Sequence, residues 1–107
     1  MTAKEFESLE RALSTANNAA QEYADTEDGG TCNFDALAIK VKATEKQMKQ
    51  LDWFTFKWGK CESDGKTWYV IELDYSGQGN RRSRMAEEAC RSMNEQGYDA
   101  QVYYQMD

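Results

Sequence analysis

The stretch that decides the fold reads Thr67-Trp-Tyr-Val-Ile-Glu-Leu-Asp-Tyr75, then Ser76-Gly-Gln-Gly-Asn80, then Arg81-Arg-Ser-Arg-Met-Ala-Glu-Glu-Ala-Cys90. It reads in the order strand, glycine loop, helix. The strand alternates with a period of two and has large apolar side chains on both faces, which is typical of a central strand. One face carries Tyr69, Ile71, Leu73 and Tyr75, and the other carries Trp68 and Val70.

The helix after the loop begins with three arginines, Arg81, Arg82 and Arg84, where the helix dipole already places partial positive charge. A bound anion would compensate this charge, because free amides at a helix N-terminus and nearby guanidinium groups together bind phosphate or carboxylate. In the alternative, the arginines extend into solvent or pair with glutamates one turn later. The candidate anion site consists of Gly77, Gly79, Asn80, Arg81, Arg82 and Arg84.

The chain has 107 residues, which fits a single domain from residue 1 to residue 107. Three Trp, six Tyr and four Phe predict an aromatic core and an aromatic surface patch. No apolar run approaches the roughly 20 residues of a membrane span, and the N-terminus lacks the features of a signal peptide. We therefore expect a cytoplasmic protein.

The chain contains three cysteines that are far apart and no histidine. This pattern argues against common zinc sites and against histidine-based catalytic triads. An EF-hand loop starting at Asp25 would place Ala36 where the bidentate glutamate is required, so calcium binding by that motif is rejected. We expect no metal, no cofactor and no enzymatic activity, since a Cys32 or Cys61 nucleophile would have no visible base partner.

The net charge is −6, and residues 1–35 contain eight acids against two bases. The whole negative excess therefore lies in the N-terminal third of the chain, which predicts a surface that binds a basic partner. A solvated acidic loop without a partner is the alternative. The candidate partner-binding residues are Glu22, Asp25, Glu27, Asp28 and Asp35.

Apolar periodicity and turn residues divide the chain into seven elements. The two short-range signals among them are a capping box at Thr44 and Gln47, and a tight hairpin turn at Asp64-Gly65. Asn80 is the expected N-cap of the last helix. We predict helices at residues 3–24, 45–51 and 81–96, and strands at 34–41, 53–61, 67–75 and 98–106, with Phe54, Phe56 and Trp58 on one strand face.

The predicted class is α+β, with an N-terminal helix (1–24), an acidic glycine loop (25–33) and a ferredoxin-like β-α-β-β-α-β core (34–107). In that arrangement two helices cover one face of a four-stranded antiparallel sheet. The N-terminal helix is an addition that could cover the other face. Another α+β order of the same elements is the alternative.

Two stretches and the ending of the chain carry a resemblance: Thr26-Glu-Asp-Gly-Gly-Thr-Cys-Asn-Phe-Asp35, Gly77-Gln-Gly-Asn-Arg-Arg-Ser-Arg-Met-Ala-Glu-Glu88 and Val102-Tyr-Tyr-Gln-Met-Asp107. They resemble small uncharacterised proteins of bacterial mobile elements. In size and acidity the chain is similar to phage-encoded anti-CRISPR inhibitors. The resemblance implies a bacterial cytoplasm and a protein partner, but it carries over no residue roles, because anti-CRISPR proteins share no common motif.

Two functional hypotheses follow. In the first, the protein is a small acidic inhibitor that blocks the nucleic-acid-binding groove of an effector nuclease by charge mimicry, with no direct contact to nucleic acid. In the second, it is a small module that binds RNA or a phosphate ligand, with sheet aromatics for stacking and the Gly77–Arg84 loop for phosphates. Overall acidity and the absence of a Lys/Arg-Gly-aromatic-Gly run in the strand at 67–75 count against the second.

Overall fold

The computed structural model describes residues 1–25, 35–61, 63–76 and 79–104, which form an α+β fold with an N-terminal helix and a four-stranded antiparallel sheet, as predicted. Of the predicted acidic glycine loop, only Asp25 lies within the described residues. In chain order the elements are α1 (Ala3–Gln21), β1 (Ala36–Val41), α2 (Glu45–Met48), β2 (Phe54–Lys60), β3 (Thr67–Ile71), α3 (Asn80–Glu95) and β4 (Asp99–Tyr103).

Capping boxes begin both α1 and α2. In α1, the Thr2 hydroxyl accepts a hydrogen bond from the Glu5 amide at 3.1 Å, and the Glu5 carboxylate accepts one from the Thr2 amide at 3.0 Å. These bonds hold the pKa of Glu5 below its ordinary value. The predicted box at Thr44 and Gln47 is confirmed, although α2 has only one turn. None of the helices in the described ranges combines the length and the apolar character that crossing a membrane requires.

The strand order in the sheet is β2-β3-β1-β4, and every neighbouring pair is antiparallel. The strand predicted to be central is internal, although it ends at Ile71 and not at residue 75. The predicted hairpin between β2 and β3 is also confirmed. It closes with a hydrogen bond from the Cys61 amide to the Lys66 carbonyl at 2.8 Å, and Gly65 supplies a φ of 72° that other residues rarely adopt.

The prediction that Phe54, Phe56 and Trp58 share one face of β2 is wrong. The register of β2 against β3 shifts twice, between Phe54 and Phe56 and between Lys57 and Gly59. Phe54 is therefore opposite Ile71 and packs on the main core, whereas Phe56 is opposite Val70 on the other face. Each shift adds a residue on one strand only, which breaks the period of two that the sequence pattern assumes.

The main core lies between one face of the sheet and a layer formed by α1 and α3, which pack against each other. The apolar periodicity that predicted the first helix corresponds to a buried apolar stripe on α1, and its alanines at positions 16 and 20 are fully buried. The principal buried side chains are Leu9, Leu13, Ala16 and Ala20 from α1, Leu37 and Ile39 from β1, Tyr69 and Ile71 from β3, and Met85, Ala89 and Met93 from α3.

The N-terminal helix thus lies beside α3 on one face and does not cover the opposite face of the sheet, contrary to what the sequence suggested. The one-turn α2 is too short to form half of a helical layer. Hydrogen bonds also attach α1 to the segment before α3. The Asn17 side chain donates to the Asp74 carboxylate and accepts from the Asp74 backbone amide, both at 2.9 Å, and the side-chain amide of Gln21 donates to the Asp74 carbonyl at 2.8 Å. The second face of the sheet has no helix over it among the described residues.

Candidate partner-binding surface

The sheet face opposite the helices carries four aromatic side chains, which we call the aromatic face: Phe56, Trp58, Trp68 and Tyr103. Phe56 is 37% exposed and Trp58 is 42% exposed, whereas Trp68 and Tyr103 are partly buried. Large apolar side chains exposed together are uncommon on soluble proteins, and such patches mark binding surfaces more often than isolated apolar residues do. This patch is the aromatic surface that the composition predicted.

The rings of the aromatic face contact one another across the width of the sheet. Phe56 on β2 and Tyr103 on β4 have ring centroids 5.5 Å apart, and Trp58 lies 5.0 Å from Tyr103. Strands β2 and β4 are the two edges of the sheet, so their backbones are three strand spacings apart, about 14 Å. The aromatic side chains of β2 and β4 therefore extend toward each other over the two inner strands of the sheet.

Small side chains on the inner strands make this arrangement possible. Ala36 and Ala38 of β1 and Val70 of β3 lie beneath the rings, and each is at most 2% exposed. Larger residues at these positions would fill the space that the edge aromatics occupy. The aromatic face is thus a second, smaller apolar cluster with its outer side open to solvent.

An ion-pair network borders one end of the aromatic face. The ammonium group of Lys40 lies 2.7 Å from a carboxylate oxygen of Asp64 and 3.9 Å from Asp99, and Lys66 lies 3.5 Å from Asp99. The hydrogen bond from Lys40 lowers the pKa of Asp64 to about 2. Lys40 also lies 5.7 Å from the centre of the Trp68 ring, so the network supports the aromatic cluster by a cation–π contact.

Two shallow grooves open on this face. One of about 290 Å³ is bordered by Trp58, Gly59, Lys60, Trp68 and Gln101. The other, of about 210 Å³, is bordered by Phe56, Tyr103, Ala36, Val70, Thr55, Glu72 and Arg82. Both are small for a drug-sized ligand and suit single side chains of a larger partner.

The arginine turn of α3 has protein carboxylates as partners. Arg82 contacts Glu72 at 2.8 Å and lies 4.8 Å from the centre of the Tyr75 ring. Arg84 lies 3.4 Å from Glu88 and 4.6 Å from the centre of the Tyr23 ring. The pairing of arginines with glutamates that the sequence offered as the alternative to a bound anion is present at Arg84.

The remaining positions of the candidate anion site give it no further support. The N-cap of α3 is Gly79, with φ 56° and no side-chain hydrogen bond, so the prediction of Asn80 as the N-cap is wrong. Arg81 is partly buried, and Gly77 lies outside the described residues. The structure therefore brings Arg82 and Arg84 together with acidic partners of the chain itself.

Only part of the predicted acidic surface is exposed. Asp35 is 3% exposed and accepts a hydrogen bond from the Ser83 hydroxyl of α3 at 2.5 Å, so it does not belong to the exposed acidic surface. Glu22 and Asp25 are exposed, as predicted, and Glu27 and Asp28 lie outside the described residues. Burial of Asp35 follows from its position immediately before β1, beside the first turns of α3, which no local sequence pattern encodes.

The exposed carboxylates lie close to the arginine turn. The Arg84 guanidinium makes a cation–π contact with the ring of Tyr23, which lies between Glu22 and Asp25 in the sequence. The end of α1 and the start of α3 are therefore neighbours in the helical layer, on the side of the sheet away from the aromatic face. Glu22 and Asp25 therefore lie on the same side as Arg84, whereas Arg82 also borders a groove on the aromatic face.

The described ranges contain two free cysteines, Cys61 and Cys90. No group of three or more Cys, Asp or Glu residues there could hold a metal ion. Cys90 is partly buried, and this burial raises the pKa of its thiol, which disfavours the nucleophilic thiolate. Cys61 contacts the Ser63 hydroxyl at 3.1 Å.

Comparison of the chain with protein-family models, curated proteins and solved structures finds no match in any of the three. Sequence reasoning missed Trp68, Tyr103 and Gly59 as parts of one surface. For Trp68 the signal was present, because it lies on the opposite face of β3 from the core residues, but contact between the two edge strands is a tertiary property.

Proposed function

We propose that the protein is a small, non-catalytic binding protein that docks a partner protein on the aromatic face. The observation that carries the proposal is an apolar ring cluster over which no helix lies in the described part of the chain. Trp and Tyr are enriched at the energetic centres of protein interfaces, because each buries a large area and loses little conformational entropy. A binding protein also needs no histidine, metal site or activated thiol.

A protein partner fits this face better than single-stranded nucleic acid does. Bases stack on accessible ring faces beside several phosphate-binding cations. Here the rings are held edge to face by one another, at interplanar angles of 61° to 81°. Lys40 and Lys66 are already paired with carboxylates, and the chain carries a net charge of −6. The same charge and the occupied guanidinium groups of Arg82 and Arg84 count against the phosphate-ligand alternative.

We propose that residues 36–103 are a ferredoxin-like β-α-β-β-α-β unit whose first helix has shrunk to the single turn of α2. The strand order β2-β3-β1-β4 and the antiparallel pairing support it. In this view α1 occupies the place that a longer first helix would fill beside α3.

For the biological role, we propose inhibition of an effector nuclease of the host, as expected of an anti-CRISPR protein. Support comes from the net charge of −6 and from the exposure of Glu22 and Asp25. With Asp35 buried, charge mimicry involves fewer residues than the sequence suggested. The aromatic face would provide affinity, and the acidic helical side would oppose nucleic acid approaching the bound nuclease.

The test is affinity capture from a bacterial lysate with three baits: the wild-type protein, Trp58→Ala and Tyr104→Ala. Tyr104 is a matched control, because it is 67% exposed but lies after the end of β4 and takes no part in the ring contacts of the aromatic face. We expect the wild type and Tyr104→Ala to retain the same protein after nuclease treatment, and Trp58→Ala to lose at least tenfold of it. Recovery of nucleic acid alone, or equal capture by Trp58→Ala, would overturn the proposal.

A further inference from the structure

A groove of about 220 Å³ lies between α1 and the turn that joins α2 to β2, away from the aromatic face. Glu10 and Ser14 border it from α1, where they are one helical turn apart, and Leu51, Asp52 and Trp53 border it from the turn. The groove is too small for a drug-sized ligand and has room for one side chain of a larger partner.

Backbone hydrogen bonds fix the turn that carries the tryptophan. The Leu51 amide donates to the Met48 carbonyl at 2.9 Å, and the Trp53 carbonyl accepts from the Glu72 amide at 2.8 Å. The Leu51 side chain is buried, and Trp53 packs against the main core. The walls of the groove are therefore in place before a partner binds, which lowers the entropy cost of filling it.

The two acidic side chains of the groove have no cation of this chain as a partner. Glu10 and Asp52 are exposed, and neither carboxylate takes part in an ion pair within the described ranges. In the part of the chain that the structure describes, no lysine or arginine borders the groove. Glu10 also lies beyond the first turn of α1, so the helix dipole does not compensate its charge. The groove therefore carries two uncompensated negative charges, which attract a cation.

The ring of Trp53 is also without a cation. Three other rings of the fold, those of Tyr23, Trp68 and Tyr75, lie 4.6 to 5.7 Å from a guanidinium or ammonium group of the chain itself. No such contact is present at Trp53 among the described residues, although indole attracts cations more strongly than the other aromatic rings do. The groove thus offers one cation both an aromatic wall and two carboxylates.

We infer that this groove receives a lysine or arginine side chain of a protein partner, a role that goes beyond the proposed docking on the aromatic face. The aliphatic part of the side chain packs on Leu51 and Trp53, and its charged end lies between Glu10 and Asp52. Charge excludes an acidic group or a phosphate from this place. The apolar wall favours a basic side chain over a calcium ion, which takes six to eight oxygen ligands.

Heteronuclear NMR titrations at constant ionic strength test the inference. The basic probes are the methylamides of Nα-acetyl-lysine and Nα-acetylarginine, and the neutral probe is the lysine compound acetylated at Nε. Calcium chloride and 1,4-diaminobutane represent a metal ion and a free polyamine. The indole N–H signal of Trp53 reports on the groove, and those of Trp58 and Trp68 are internal controls on the aromatic face. We expect saturable shifts of the Trp53 signal with both basic probes, with a Kd on the order of 10 mM for a single side chain.

Three variants of similar side-chain size give the inference its contrast. Glu10→Gln and Asp52→Asn should each weaken binding of the lysine probe at least threefold, and the double variant at least tenfold. Glu7→Gln is the matched control, because it removes one negative charge from α1 but does not border the groove, and Glu7 already pairs with Arg11. It should change the Kd by less than twofold. All three positions are exposed, so the unfolding midpoints should stay close to that of the wild type.

The inference is overturned if no basic probe shifts the Trp53 signal, or if the neutral probe binds as well as the lysine probe. Equal weakening by Glu7→Gln and Glu10→Gln would assign the effect to overall charge and would overturn it as well. Tighter binding of calcium or of the diamine would assign the groove to another cation. These outcomes differ from failure of the proposed function, in which Trp58→Ala captures as the wild type does while the Trp53 signal still responds to the basic probes.

Discussion

The side-chain amide of Asn94 in α3 pairs with the backbone of Ala100 in β4. Its nitrogen donates to the Ala100 carbonyl at 3.2 Å, and its oxygen accepts from the Ala100 amide at 3.0 Å. Ala100 is opposite Ile39 in the sheet, but both of its backbone groups point away from β1, as in a non-hydrogen-bonded antiparallel pair. The Asn94 side chain thus makes the two backbone hydrogen bonds at Ala100 that a neighbouring strand would otherwise make at the outer edge of β4.

This contact predicts that Asn94→Ala will expose a strand edge. An unpaired edge is a template for another chain, and the opposite edge strand, β2, already has two register shifts and two lysines that discourage pairing. We expect a loss of about 1 kcal/mol in unfolding free energy. We also expect faster hydrogen exchange of the Ala100 amide and more concentration-dependent association by light scattering.

The matched control is Asn18→Ala, which removes an exposed asparagine of α1 and leaves both hydrogen bonds between Asn94 and Ala100 in place. It should change neither the exchange rate of the Ala100 amide nor the association state. If Asn94→Ala behaves like this control in all three measurements, the side chain does not protect the edge.

A second prediction concerns acid and the pair formed by Lys40 and Asp64. The hydrogen bond from Lys40 lowers the pKa of Asp64 from its ordinary value near 3.8 to about 2 in the folded protein. A lowered carboxyl pKa contributes stability that is present above the unfolded value and is lost as the pH falls through the folded value. The stabilisation by this pair should therefore decline between about pH 4 and pH 2.

Thermal unfolding of the wild type and Asp64→Asn over this range checks the prediction. The variant should be less stable at pH 6, and the difference in midpoint temperature should shrink as the pH approaches 2. Lys40→Met removes the other partner and should show the same convergence with the wild type. A difference that stays constant down to pH 2 would mean that Asp64 acts through something other than its charge.

Local sequence patterns predicted those parts of the fold that local patterns control. The apolar stripe of α1, the Thr44 capping box and the Asp64-Gly65 turn each depend on residues within a few positions of one another. The register shifts in β2 depend on the strand opposite, so the shared face of Phe54 and Phe56 was mispredicted. Burial of Asp35 depends on Ser83, which lies far along the chain.

The candidate site shows the same limit. The composition predicted an aromatic patch, and the position of Trp68 opposite the core face of β3 indicated one of its members. The contact between Phe56 and Tyr103 requires side chains from the two edge strands to meet over Ala36 and Ala38. It follows from the strand order and from the small residues on β1. No pattern within a single strand contains that information.

The third prediction separates Asp35 from the exposed carboxylates. Asp35 is buried and accepts a hydrogen bond from Ser83, so Asp35→Ala should lower the unfolding free energy by about 2 kcal/mol. The paired change of Glu22 to Gln and Asp25 to Asn should stay within about 0.5 kcal/mol, because both are exposed. Denaturant titration measures both. If Asp35→Ala is as mild as the exposed pair, Asp35 is available to a partner and the predicted five-carboxylate surface regains support.

The fourth prediction concerns the arginine turn, which the sequence indicated either binds an anion or extends into solvent and pairs with glutamates. The guanidinium side chain of Arg82 is only 12% exposed, pairs with Glu72 and stacks on the Tyr75 ring. The Tyr75 hydroxyl accepts a hydrogen bond from the Leu37 backbone amide at 2.8 Å and donates one to the Ile71 carbonyl at 3.0 Å. Arg82 thus supports a bridge between the two central strands.

We therefore expect Arg82→Gln to lower the unfolding free energy by about 1 to 3 kcal/mol, because it leaves Glu72 without its partner and removes a planar group from the ring. Arg82→Lys should cost nearly as much, since an ammonium cannot reproduce the planar contact. Arg84→Gln is the matched control. Its side chain is 45% exposed, and its buried partner Glu88 keeps a second ion pair with Arg91 at 2.8 Å, so its cost should stay below about 1 kcal/mol. Equal and small effects at both positions in denaturant titrations would show that Arg82 is not structural, and its guanidinium would again be a candidate for binding an anion.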